Sequence, residues 1–108
     1  MLPALLTVAD AARVPACVQL DHVADDALID EALSLGVGAV MADSSRLPDV
    51  ENASFVARVR GRAGAAGIEA ELGHIEGGED VAAATKAGAL TEPSVAATFV
   101  AEIGRAHV

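Results

Sequence analysis

Apolar and polar positions along the chain alternate between two periods. Leu5, Leu6, Val8, Ala12 and Val14 recur at helical spacing, with Pro15 as a stop. The short apolar run Ala16-Cys17-Val18-Gln19-Leu20 then predicts a strand that carries Asp21 and His22 at its carboxyl end. Asp25 and Asp26 favour a helix N-terminus, Leu28, Ile29, Ala32 and Leu33 form an apolar face, and Gly36 suits a left-handed stop. Residues 37–42 read as a second buried strand. A third helical region runs from Pro48 to Ala66 with Val50, Ala53, Val56 and Val59 on one side, weakened late by Gly61 and Gly64. Residues 68–72 form the third strand candidate, and a glycine-rich stretch over 73–90 has no clear period. Thr91 caps a last helix with Pro93 in its first turn and Val95, Phe99, Val100 and Ile103 facing inward. Strands alternating with helices in this way predict an α/β fold of parallel β/α units, with right-handed crossovers that bring every strand's carboxyl end to one side.

Composition changes this picture in two respects. Of the 108 residues, 53% are hydrophobic, but only two are Phe and none is Trp or Tyr, so the core must be assembled from small side chains. Outer strands of so short a set of units carry unpaired backbone groups, which predicts self-association into a homo-oligomer. Sixteen acidic against seven basic residues give a net charge of −9, which repels nucleic acid and anionic membrane surfaces. A phosphorylated substrate stays compatible with that charge, because a metal ion and helix N-termini supply positive potential locally. Cys17 is the lone cysteine; within a strand candidate it is expected as a small buried apolar residue, and no intrachain disulfide is possible. The first residues lack a basic stretch before an apolar one, so neither a signal peptide nor a membrane span is expected, and a cytoplasmic location follows.

The chemistry gathers at the strand ends. Asp21-His22, Asp43-Ser44-Ser45 and Glu69 through Glu71 stand at corresponding positions, where carboxylates and a histidine together can hold a divalent cation and a neighbouring carboxylate can move protons. In isolation Asp21-His22 reads equally as a helix cap beside an exposed histidine, Glu69 and Glu71 as the wet side of a strand, and Glu79-Asp80 as charge on a loop. Four segments in order favour the functional reading of Asp21-His22 and leave both readings of Glu69 and Glu71 open. Val18 to His22, Val40 to Pro48 with Glu51-Asn52, Glu69 to Gly73 leading to Gly78-Glu79-Asp80, and Ala89 to Pro93 resemble the class II fructose-bisphosphate and tagatose-bisphosphate aldolases over about residues 15–103.

That resemblance implies an incomplete (β/α)8 TIM barrel, since such barrels take about 250 residues, with residues 1–108 as one partial barrel domain. It implies His22 as a zinc ligand, Asp21 as the acid/base at the aldehyde-derived oxygen, and Glu79 as the group that acts on the reacting carbon. Glu71 matches a carboxylate near the metal, Asp43 and Ser44 match polar residues of the substrate cavity, and His107 aligns with a second zinc histidine. The implied cofactor is zinc, and the implied substrate yields dihydroxyacetone phosphate and glyceraldehyde 3-phosphate. Departures are Gln19 for a usual histidine, Ser44 and Arg46 for a usual glycine and histidine, and no apolar strand before His107. The third zinc histidine and the glycine-rich phosphate loop of the family have no counterpart here, so this stretch is expected to be inactive alone. The alternative expectation is a non-catalytic fragment that associates with itself or with an aldolase subunit.

Overall fold

The computed structural model describes residues 1–73 and 91–104. Its elements are α1 (Leu2–Asp10), β1 (Gln19–Val23), α2 (Asp26–Leu35), β2 (Ala39–Ala42), α3 (Asp49–Arg62), β3 (Gly67–Ala70) and α4 (Pro93–Ile103). The three strands form a parallel sheet in the order β1-β2-β3. Alternating β and α with sequential parallel neighbours is the arrangement of a (β/α)8 barrel, of which three strands lie among the described residues.

Each helix begins and ends for a local reason. Asp25 caps α2 by accepting a hydrogen bond from the Leu28 N–H at 3.0 Å, and Gly36 closes it in the left-handed region at φ 92°. Helix α3 carries Asp49 and Glu51 in its first turn and Arg60 and Arg62 in its last, both signs matched to the helix dipole. Arg62 also clamps α3 to α2, pairing with Asp26 and, at 2.7 Å, with Asp30. Helix α4 starts one residue later than the cap expected at Thr91: Glu92 is its N-cap, and the Thr91 hydroxyl donates to the Leu72 carbonyl at 3.4 Å. Helix α1 stops at Asp10, well short of Pro15, and buries none of its residues.

One face of the sheet is the core. Val23, Val40, Ala42, Ile68 and Ala70 point into it and meet Ile29 and Ala32 of α2, Ala53, Phe55, Val56 and Val59 of α3, and Phe99 and Ile103 of α4. Val50 and Val100, expected inside, are 68% and 39% exposed, and Phe55 and Asn52 take the inward positions on α3. Cys17 is exposed, contrary to its expected burial. The strand starts three residues later than the apolar run suggested, so Cys17 belongs to the segment leading into it. Its sulfur lies over Gly38, where a β-carbon would come within 2.5 Å of Sγ.

The opposite face carries Gln19, Asp21, Met41 and Glu69. Among the described residues no helix is long and apolar enough to cross a membrane.

Candidate functional site

Regular alternation would send Asp21 and His22 to opposite sides of the sheet. The ladder prevents this. Leu20 pairs with Val40 and Val23 with Ala42, so three steps along β1 match two along β2, and one residue is extra. Such a bulge bends the strand and re-aims side chains. His22 absorbs it at φ 46°, the single positive-φ residue other than glycine among those described. Leu20 and Val23 consequently both keep to the core side, while Asp21 and His22, though adjacent, both reach the other side. The Asp43 N–H then donates to the Val23 carbonyl at 2.9 Å and re-closes the ladder beyond the bulge.

At the carboxyl ends of the strands three side chains converge. His22 Nδ1 lies 2.9 Å from Asp43 Oδ2 and 3.5 Å from Glu71 Oε2. One ligand atom from each of His22, Asp43 and Glu71 can be chosen so that all lie within 4.8 Å of one another. A tetrahedral zinc with bonds of about 2.0–2.2 Å holds its donors roughly 3.3 Å apart, so the two distances from Nδ1 bracket what such an ion requires. One nitrogen and two carboxylate oxygens are also a chemically suitable donor set for it.

Electrostatics fit the same picture. The hydrogen bond to Asp43 raises the His22 pKa; desolvation opposes the rise, and the charges of Asp21, Asp43 and Glu71 reinforce it. For Asp43, burial favours the neutral acid, but hydrogen bonds from His22 and from the Ser45 hydroxyl and N–H outweigh it, and its pKa falls below the usual carboxylate range. The Ser45 bonds, at 2.6 Å from Oγ and 3.1 Å from N, fix Oδ1 and leave Oδ2 aimed at His22.

Asp21 lies beside this cluster, its carboxylate exposed and held at Oδ1 by the Gln19 carboxamide at 3.2 Å. Ser44 is placed differently. It is 5% exposed, and its hydroxyl donates to Asn52 Oδ1 at 2.6 Å, inside the protein. Asn52 in turn donates from Nδ2 to the Glu71 backbone carbonyl at 2.8 Å. This buried asparagine ties the loop after β2 to the residue after β3 and so sets the Asp43–Glu71 spacing. Glu79 and His107 lie outside the described residues.

Sequence reasoning grouped His22 with Glu71 but gave Asp43 to the substrate cavity, and it assigned no role to Ser45 or Asn52. An asparagine in the middle of a helix is a usable signal, since its competing hydrogen bonds make it a poor helix former unless something buried needs it.

Comparisons with known proteins bear on the family and the fold. A sequence model described as fructose-bisphosphate aldolase class-II matches residues 1–108. A fructose-bisphosphate aldolase of Thermus caldophilus is 37% identical over 103 residues, covering 93% of this chain and 34% of its own length. One from Giardia intestinalis is 38% identical over 89 residues, covering 81% of this chain and 27% of the relative. Among solved structures, the YdjI aldolase from Escherichia coli K12 superposes with a TM-score of 0.77 at 28% identity, over 95% of this chain and 38% of that one. The chain thus spans about a third of the length of the proteins it matches. With the match running from the first residue to the last and the fold agreeing, this chain belongs to the class II fructose-bisphosphate aldolase family.

Proposed function

We propose that this chain supplies the first part of the active site of a zinc-dependent ketose-bisphosphate aldolase, as one partial barrel domain of a whole enzyme. The observation that carries the reading is the bulge in β1, which brings Asp21 and His22 to the same side of the sheet as Asp43 and Glu71. A strained backbone at the carboxyl end of a barrel strand is where function rather than folding sets the conformation.

In this reading His22 and Glu71, with Asp43 beside them, hold zinc, and His107 from outside the described residues adds a further ligand. Zinc, when bound, supplies a Lewis acid that polarises the substrate's oxygens. Asp21 takes the proton from the hydroxyl that becomes the aldehyde oxygen. The adjacent carbon–carbon bond breaks, its electron pair stays on the dihydroxyacetone phosphate half as an enediolate, and glyceraldehyde 3-phosphate leaves. Glu79 returns a proton to the carbon that bore the broken bond. Asp43 Oδ2, 2.9 Å from His22 Nδ1, would share the ion with it, while Ser45 fixes the Asp43 carboxylate through Oδ1. The substrate is fructose or tagatose 1,6-bisphosphate, and the reaction is reversible.

The test is aldol cleavage of each bisphosphate by the whole protein, with zinc and after chelation, for the wild type and for Asp21→Asn and His22→Ala. Loss of activity on chelation, and at least a hundredfold loss of kcat in Asp21→Asn, matching the lower range for general acid–base catalysis, is the expected result. Full activity in chelator, or in either variant, refutes the assignment. A second reading rests on the two outer strands, β1 and β3, each paired on one side only among the described residues. Residues 1–108 by themselves would be inactive and associate through those edges; a stable monomer by size exclusion counts against it.

A further inference from the structure

The open face of the sheet holds a three-residue arrangement that the zinc cluster does not include. Gln19 Nε2 donates to Asp21 Oδ1 at 3.2 Å and to Glu69 Oε2 at 2.9 Å. A carboxamide nitrogen has two hydrogens, and here each meets a different carboxylate. The reverse orientation would set the amide oxygen against both acids, so the hydrogen-bond network itself fixes which way the group faces.

The bridge spans the width of the sheet. Strands stand about 4.8 Å apart, so β1 and β3 are separated by roughly 9.6 Å with β2 between them. Such a reach is possible because of what lies in its path. Gln19 is in register with Ala39, and Ala39 with Gly67, so the row falls from a long side chain to a methyl group to none. That taper leaves a trench in which the Gln19 side chain crosses β2 toward Glu69. Met41 and Glu69 form the next row. Glu69 therefore sits one row above Gln19 and two strands away, and the Gln19 amide reaches it.

We propose that Gln19 is a positioning residue for Asp21: anchored on Glu69 through one N–H, it holds the Asp21 carboxylate through the other. The proposal rests on the reading of Asp21 as the proton-transfer group, but its geometry is independent of zinc. Without the amide, Asp21 would be free to rotate about its side-chain torsions on an exposed strand and would lose the donor it shares with the negatively charged Glu69. With it, two acids that would repel each other share one neutral donor group. Glu69 acts on Asp21 from two strands away, through Gln19.

The test uses the intact protein in four forms: wild type, Gln19→Leu, Glu69→Leu and Glu69→Gln. Side-chain rotamer populations of residue 21 are read from NMR scalar couplings, and zinc affinity is measured by calorimetry on the same samples. The expected result is one dominant Asp21 rotamer in the wild type and in Glu69→Gln, whose amide oxygen still accepts from Gln19. Averaged rotamers are expected in Gln19→Leu and in Glu69→Leu. Asp21 equally ordered in Gln19→Leu, or order unaffected by Glu69→Leu, overturns the proposal. Failure of the wild type to bind zinc refutes the zinc assignment of the preceding section, and the rotamer data still decide the role of Gln19. Should Gln19→Leu not fold, the contrast between the two Glu69 variants decides it.

Discussion

Replacing Asn52 by leucine tests how the site is held together. The two side chains are close in volume, so the change removes hydrogen bonds with little change in packing. Asn52 is 1% exposed and makes two bonds, accepting from Ser44 Oγ at 2.6 Å and donating to the Glu71 carbonyl at 2.8 Å. Leucine leaves the Ser44 hydroxyl, at 5% exposure, without that acceptor. An orphaned buried group costs about 1–3 kcal/mol, and the Glu71 carbonyl, nearer to solvent, adds about 1 kcal/mol. The expected destabilisation is therefore about 2–4 kcal/mol, a large share of the stability of an ordinary domain. Urea unfolding of wild type, Asn52→Leu, Ser44→Ala and the double variant measures it. Removing the orphaned hydroxyl as well should recover about 1–2 kcal/mol, so the double variant is more stable than Asn52→Leu alone. Zinc titration of the same four proteins should show weaker binding wherever Asn52 is lost, because Glu71 is no longer tethered to α3. An Asn52→Leu protein within about 0.5 kcal/mol of wild type, or a double variant no better than it, refutes the reasoning.

Two further outcomes follow from the bulge and its charges. At position 22 both glycine and alanine remove the nitrogen ligand proposed for zinc, but glycine tolerates φ 46° and alanine does not, so His22→Ala should unfold more easily than His22→Gly by about 1 kcal/mol; equal urea midpoints would count against backbone strain there. For pH, the raised His22 pKa gives a stabilisation that is complete below its ordinary value of 6.5 and lost as pH rises through the higher folded value. The lowered Asp43 pKa gives one present above its ordinary 3.8 and lost as pH falls through the folded value. Metal-free protein should accordingly be most resistant to urea between about pH 4 and 6.5, whereas zinc, which competes with the His22 proton, should bind more tightly as pH rises above that range. A metal-free urea midpoint that climbs steadily from pH 6 to 9 is the result that contradicts it.

Much of the fold was legible because helix and strand signals here are local. Asp25 and Gly36 bound α2 where their side-chain chemistry places them, and the alternation of elements predicts the parallel sheet. Burial was less legible, because it depends on neighbours in space. Val50 and Val100 share helix faces with core residues yet lie outside, while Phe55, off the expected stripe, lies within. For the site, the strand-end positions of His22, Asp43 and Glu71 could be read from spacing, but their convergence on Nδ1 could not. It depends on an extra residue in β1, and a bulge leaves no mark in a pattern of apolar and polar letters beyond a missed alternation. The Gln19 bridge was equally invisible, since it joins residues 50 apart in sequence.

The same extra residue separates what the sheet needs from what the site needs. Count parity along β1 from Leu20 to Val23: omit His22, and Leu20, Asp21 and Val23 alternate core, open, core, as a regular strand should. Folding of the strand is thus complete without position 22. A histidine there is a supernumerary letter in the strand, and its deletion leaves the phase of every core residue unchanged. Insertion of one residue elsewhere in β1 would instead put either Leu20 or Val23 on the wrong side. Tolerance to deletion in this strand should therefore be confined to the Asp21-His22 pair, and losing its second member empties the candidate metal cluster of its nitrogen.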